Sequence, residues 1–273
     1  MTAHLDPETL IAERDRLLAS ASEHFASDPL VVAVFLGGSL AAGTADAYSD
    51  IDLRVVVTAD SHPWFVANRR EIPKAWPGFL FNEWIPGAQH CVSHFSPFGK
   101  IDIFYLSADA LRPSPWYRLP INILHDPDGV VADLIARSRD LSFSVSEDDL
   151  DISISKGLAA AHETYRRAKR GELLYAQTLL DELRQRIMQA DDWLGERTPE
   201  AAIVAKFEAR ASAETLAVLN ASYGPNDVSA ILAALRVLVA FYRNQVLALH
   251  DTFRLQRSRE NDLAALDDVL ALV

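Results

Sequence analysis

Three aspartates and one glycine-serine turn are the residues of this 273-residue chain whose types and spacing suit a definite chemistry. Asp50 and Asp52 stand two apart in Ser49-Asp50-Ile51-Asp52-Leu53, where an alternating stretch that reads as a strand begins. On a strand they project from one face with Cα atoms roughly 6.5 Å apart, near enough for both carboxylates to bind divalent cations about 3.5 to 4 Å from each other. Burying two like charges side by side is costly without such cations. A third aspartate, Asp102, interrupts Lys100-Ile101-Asp102-Ile103-Phe104-Tyr105-Leu106, in which Ile101, Ile103 and Tyr105 face one way and Asp102 the other. Beside the strand of Asp50 and Asp52 it would complete an acidic cluster; on an edge strand it would only deter aggregation. Gly37-Gly38-Ser39 ends an earlier apolar run. Glycine there lets backbone N–H groups approach a phosphate, and a helix over Leu40 to Gly43 would aim its positive end the same way.

These residues need a scaffold, and the first half of the chain spells one. Leu10, Ile11, Leu17, Leu18, Ala21 and Phe25 recur at helical spacing between Pro7 and Phe25. Val31 to Leu36 and Ile51 to Val57 read as strands, and Phe79 to Trp84, Cys91 to Phe95 and Ile101 to Leu106 as three more, separated by Pro86-Gly87 and Pro97-Phe98-Gly99 turns. From Leu150 onward the apolar residues recur at three and four: Ile154, Leu158, Ala161, Tyr165; Leu173, Ala176, Leu180, Leu183, Ile187; Ile231, Leu235, Leu238, Phe241, Val246. That is a helical bundle of four main helices with a shorter fifth from Glu260. The acidic segment 143–149 marks a boundary, so the expectation is two domains, 1–144 and 145–273, in an α+β class. The first has a mixed β-sheet flanked by helices; the second is all-α.

Composition narrows the function. The 26 Lys and Arg residues against 38 Asp and Glu leave a net charge of -12, which repels a phosphate backbone and argues against nucleic-acid binding. One cysteine, Cys91, excludes a disulfide framework and a thiolate zinc cluster. No apolar run approaches the roughly 20 residues of a membrane span, and the N-terminal residues lack a signal-peptide pattern, so a cytoplasmic protein with no membrane partner is expected.

Gly38-Ser39, the spacer, Asp50-Ile51-Asp52 and the later Asp102 resemble the polymerase-β-type nucleotidyltransferase superfamily. The order of a β-rich domain and then a helical bundle, with His125-Asp126-Pro127-Asp128-Gly129 between them, is similar to antibiotic nucleotidyltransferases, especially the streptomycin 6- and lincosamide adenylyltransferases. A weaker resemblance to their second domain runs from Ile154-Ser155-Lys156-Gly157 to Arg170-Gly171-Glu172-Leu173-Leu174-Tyr175-Ala176. The resemblance implies transfer of AMP from ATP to a hydroxyl of a small molecule, an aminoglycoside or lincosamide, with release of pyrophosphate. It implies Mg2+ held by Asp50 and Asp52, with Asp102 as base or third metal ligand. Gly38 and Ser39 would meet the β/γ-phosphates of the nucleoside triphosphate, and Lys156 would cover them. Glu163, Asp181, Glu182, Asp191 and Asp192 offer carboxylates to a cationic acceptor.

Other readings are weaker. Gly37-Gly38-Ser39-Leu40-Ala41 misses the Gly-x-Ser-x-Gly nucleophile elbow at its last position and leaves three aspartates unexplained. His90 and His94, roughly 13 Å apart on a strand, cannot share a zinc ion. Neither a P-loop lysine nor a Gly-x-Gly-x-x-Gly fingerprint follows Gly38. The five tryptophans read mostly as core. A regulatory module resembling nucleotidyltransferase antitoxins, acting on a protein partner, is the competing class; such modules lack so large a helical half.

Overall fold

The computed structural model describes residues 6–199 and 202–273. Most of the N-terminal stretch read for a signal peptide, residues 1–5, lies outside them. Chain contacts divide the protein into two compact units, Met1–Ser142 and Phe143–Val273.

The first unit is built on a six-stranded mixed sheet. Helix α1 (Pro7–Ala26) begins where the Asp6 carboxylate accepts the Thr9 amide and a proline fills the first turn. Strands β1 (Val31–Leu36) and β2 (Ile51–Val57) flank the short helix α2 (Gly38–Ala42), and helix α3 (His62–Asn68) follows. Then come β3 (Phe79–Glu83), β4 (His90–Phe95), β5 (Gly99–Ser107), β6 (Asn122–His125) and helix α4 (Val130–Ser138). The sheet order is β3-β4-β5-β2-β1-β6; only β2 and β5 run parallel. Strand alternation sorts the faces. Ile51, Leu53, Val55, Ile101, Ile103 and Tyr105 are fully buried in one core with Leu17, Ala21 and Phe25 of α1, which leaves Asp52 and Asp102 on the opposite face.

Two elements here escape a periodicity reading. The segment expected as an inter-domain connection, His125 to Gly129, belongs to the first unit. It closes β6, a short edge strand with no apolar alternation, and the Asp126 carboxylate then accepts the Val131 and Ala132 amides at 3.0 Å to start α4. The tryptophans also depart from expectation: Trp76 is buried, whereas Trp64 and Trp84 are exposed. Arg70 lies 4.1 Å over the Trp84 ring, so this indole is partnered at the surface by a cation rather than in the core.

The second unit is helical. Its elements are α5 (Glu147–Lys169), α6 (Leu173–Leu194), the single turn α7 (Phe207–Arg210), α8 (Ala213–Ala221), α9 (Val228–Thr252) and α10 (Arg259–Leu270). Ser146, Ser212, Asp227 and Ser258 cap α5, α8, α9 and α10 through their side chains. The stripes read from the sequence meet in one core that includes Ile154, Leu180, Leu183, Ile187, Leu235, Leu238 and Val246. Gly157 stands within the continuous α5 because Tyr242 occupies its side-chain space: a Cβ there would lie 2.4 Å from Cε1 of the ring. Helix α9 corrects the expectation about membrane spans. Although Arg236 and Arg243 interrupt its apolar run, it is long and apolar enough to cross a bilayer by length and composition alone. Here Ile231, Leu235, Leu238, Tyr242 and Val246 on α9 line the bundle core instead.

Candidate active site

The first unit gathers its carboxylates by register. In the parallel pair of β2 and β5, Asp52 stands opposite Asp102, and Ile51 opposite Ile101, so Asp50 comes level with the Lys100 end of β5. The Lys100 ammonium lies 2.7 Å from Asp50 Oδ2 and 3.1 Å from Asp102 Oδ1. Asp52 is held separately, with its Oδ1 3.1 Å from Arg54 Nη1. Arg54 shares the face of Asp52 and extends over the Phe104 ring at 4.5 Å.

The glycine-serine turn closes against the same carboxylates. The Gly37 amide donates to the Asp52 carbonyl at 3.0 Å. Gly38 sits at φ +62°, and a Cβ on it would fall 2.0 Å from Asp52 Oδ2. Only glycine permits that approach. Ser39, on the first turn of α2, is buried. Lys156 belongs to the other unit, where it lies exposed on α5.

Charge is unevenly met. Burial pulls the Lys100 amine down, yet its bonds to Asp50 and Asp102 outweigh this and set it above its ordinary value. Asp102 is also raised: burial lifts it, Lys100 opposes, and the charges of Asp50 and Asp52 lift it further. The two directions differ in their leading cause, burial for the acid and ion pairing for the lysine. Three carboxylates share two cations, so the lysine is tightly held while the most buried acid still lacks full neutralisation. Asp102 Oδ1, though near the ammonium, is buried and accepts no hydrogen bond.

Lys100 and Arg54 carry no role in the sequence reading. Alternation could have found them, because Lys100 shares the face of Asp102 and Arg54 that of Asp52. The carboxylates expected to meet a cationic acceptor are committed elsewhere. Glu163 pairs with Arg166 and Arg167, Asp181 with Arg184, Glu182 with Arg186, and Asp191 and Asp192 with Arg197 and Arg210. His94 bonds Glu83 and His90 stacks on Phe104.

Residues 16–76, the segment holding Gly38, Ser39, Asp50 and Asp52, match the family model of the nucleotidyltransferase domain. The chain carries a nucleotidyltransferase domain. No curated protein matches the sequence. Solved structures similar to it include an aminoglycoside 6-adenyltransferase from Bacillus subtilis, 12% identical over 94% of this chain and 97% of that one, with a TM-score of 0.45. Another is a nucleotidyltransferase-like protein from Exiguobacterium sibiricum 255-15, 11% identical over 94% of this chain and 90% of that one, with a TM-score of 0.43.

A nucleotidyltransferase works with a divalent cation, and the donor set of this domain suits one. Its candidate ligands are all carboxylate oxygens, the choice of hard cations, and the cluster keeps an unbonded Asp102 oxygen and more negative than positive charge. Among the described residues no three His, Cys, Asp or Glu side chains stand ready to hold an ion. The reason is visible: Lys100 bridges Asp50 and Asp102, while Arg54 draws Asp52 to itself.

Proposed function

We propose that this nucleotidyltransferase transfers AMP from ATP to a hydroxyl of a small molecule, of the aminoglycoside or lincosamide kind, with Mg2+ as the metal. The observation that carries the reading is the gathering of Asp50, Asp52 and Asp102 at one end of the β2–β5 pair, Asp52 in register with Asp102, set against a glycine that admits no side chain. Asp50 and Asp52 would hold the metal, which when bound supplies charge neutralisation for the phosphates. Gly38 and Ser39 would receive the β- and γ-phosphates at the end of β1, where the missing Cβ lets the Asp52 carboxylate lie directly against the turn.

The protein's own contribution is positioning and proton transfer. The acceptor oxygen forms a bond to the α-phosphorus as the bond from that phosphorus to the β-phosphate's bridging oxygen breaks, and pyrophosphate departs with the electron pair. Asp102 takes the hydroxyl proton. Its raised affinity for a proton and its unbonded oxygen suit a general base.

The test is incubation with labelled ATP, magnesium and a panel of aminoglycosides and lincosamides, followed by mass spectrometry for a product heavier by one adenylyl group. Titration calorimetry with ATP and magnesium accompanies it. An absence of ATP–magnesium binding, or undiminished activity in both Asp50→Ala and Asp52→Ala, would sink the proposal.

A further inference from the structure

One cation on the open face of the sheet is only lightly engaged by the carboxylate cluster. Arg54 on β2 pairs in register with Phe104 on β5, and its guanidinium lies 4.5 Å over that ring. On the β4 side His90 stacks on the same ring at 5.0 Å with 23° between planes, so the ring is itself supported. The guanidinium also lies against the turn after β1: a Cβ on Gly37 would stand 3.5 Å from Arg54 Cζ and from Nη1. Ring and turn together set the plane of the group.

Its hydrogen bonding is nearly unspent. Among the described residues Arg54 makes one such bond, from Nη1 to Asp52 Oδ1 at 3.1 Å, although a guanidinium carries five N–H donors. Lys100, the other cation of the site, is committed to two carboxylates, Asp50 at 2.7 Å and Asp102 at 3.1 Å. The Arg54 side chain is 26% exposed, so its remaining donors are within reach of a ligand. A fork held in one plane with free donors matches the paired oxygens of a phosphate. Asp52 ties this fork to the glycine-serine turn. Its Oδ1 holds Arg54, while its Oδ2 is the atom that a Cβ on Gly38 would meet at 2.0 Å.

We infer that Arg54 pairs with the β- and γ-phosphates of the nucleotide, and that Asp52 keeps it in place until the metal-bound nucleotide arrives. The inference rests on the transferase reading, and it gives to a residue of the first unit the task that the family resemblance assigns to Lys156. Once Asp52 ligates a divalent cation, its oxygens are drawn from the guanidinium, and two positive charges beside one carboxylate repel. The guanidinium, still on the Phe104 ring, then turns its fork to the phosphates. As the bond from the α-phosphorus to the bridging oxygen breaks, the electron pair leaves with pyrophosphate, and Arg54 meets that charge without giving up a proton.

Calorimetry on the full chain tests this, with manganese alone, manganese tripolyphosphate, AMP and ATP–magnesium as probes. Arg54→Met and Arg54→Lys are the variants, each checked by thermal unfolding. The role predicts shifts of opposite sign in one variant. Arg54→Met should bind manganese alone about three- to tenfold more tightly, because Asp52 is freed. It should bind manganese tripolyphosphate about ten- to a hundredfold more weakly, the size of one lost charge-assisted pair. Arg54→Lys keeps the charge but loses the fork, so it should bind manganese tripolyphosphate about threefold more weakly, and it carries the test if the methionine variant does not fold. AMP, which lacks the β- and γ-phosphates, should bind every folded form alike. Weaker binding of manganese alone together with manganese tripolyphosphate would make Arg54 a structural support of Asp52 and overturn the inference. So would unchanged tripolyphosphate binding in either folded variant, or an equal weakening of AMP. Failure of the wild-type chain to bind ATP–magnesium instead removes the transferase reading itself.

Discussion

Each unit sets a group of aspartates among arginines or lysine, and the most tightly enclosed carboxyls of the two groups, Asp191 and Asp102, are shifted in opposite directions. Asp191 and Asp192, adjacent at the end of α6, meet two guanidinium groups and two hydroxyls. Asp191 accepts from Arg197 Nη1 and Thr215 Oγ1 at 2.6 Å and from Ser212 Oγ at 3.0 Å; Asp192 accepts from Arg210 Nε and Nη2 at 3.0 and 2.9 Å. Burial raises the Asp191 carboxyl, but Thr215, Ser212 and Arg197 outweigh it and hold it below the usual carboxylate range. The Asp50, Asp52 and Asp102 set has three carboxylates for two cations, and there Asp102 is held above that range. Acid–base balance separates a finished structural cluster from one that still asks for positive charge.

Substitution should break this contrast in a graded way. Asp52→Ala is expected to reduce adenylyl transfer on the order of 10³-fold or more, because it removes the charge stabilisation of a phosphoryl transition state, and to leave the urea midpoint of the metal-free protein nearly unchanged. Asp191→Ala should do the reverse. It leaves Arg197, Ser212 and Thr215 without their shared acceptor, and urea unfolding should show a loss of about 3 kcal/mol. A comparable loss of activity in both variants at constant stability would remove the distinction. Gly157→Ala is a packing control away from both clusters: its methyl group meets the Tyr242 ring, and a loss of about 2 kcal/mol is expected in the same assay.

Two smaller effects sharpen the comparison. Lys100→Met removes the cation that stands between Asp50 and Asp102, so manganese affinity by calorimetry should rise about tenfold, while the melting temperature without metal falls. Weaker manganese binding would show that the lysine assists the metal rather than standing in its place. The pH dependence differs in sign. A depressed carboxyl such as Asp191 contributes stability that is present above its unfolded value of 3.8 and lost as pH falls through the folded value. A raised carboxyl such as Asp102 carries the opposite slope: its contribution is complete below 3.8 and lost as pH rises through the folded value. Asp191→Asn and Asp102→Asn should therefore change the metal-free stability profile between about pH 2 and 6 in opposite directions, read by thermal unfolding, and changes of the same sign would refute the contrast.

Much of this architecture was legible because burial imposes period. Val31–Leu36 hides both faces as a continuous apolar run, whereas Ile51–Val57 at its start and the Ile101, Ile103, Tyr105 alternation hide one, and each became a strand of the sheet. The bundle stripes became α5, α6 and α9 for the same reason. Strand β6 and helix α4 were not legible: the first is a four-residue edge strand without alternation, and the second is only nine residues long, its stripe limited to Val131, Leu134 and Ile135, with Asp126 accepting its first amides. Within the site, Asp50, Asp52, Asp102, Gly38 and Ser39 stood out through their chemical types, whereas Lys100 and Arg54 look like ordinary surface charges until their faces are counted.

The chain's residue order by itself determined which side chains share a face, because alternation along a strand and the 3.6-residue turn of a helix are local properties. It could not determine which strand lies beside which. Pairing β2 with β5 in parallel joins positions fifty residues apart, and that non-local choice alone sets Asp52 opposite Asp102 and brings Lys100 to Asp50. The same holds for charge. Sequence counts carboxylates, but only the folded chain decides which of them, as at Asp191, are neutralised by their neighbours and which, as at Asp102, are left short of a cation.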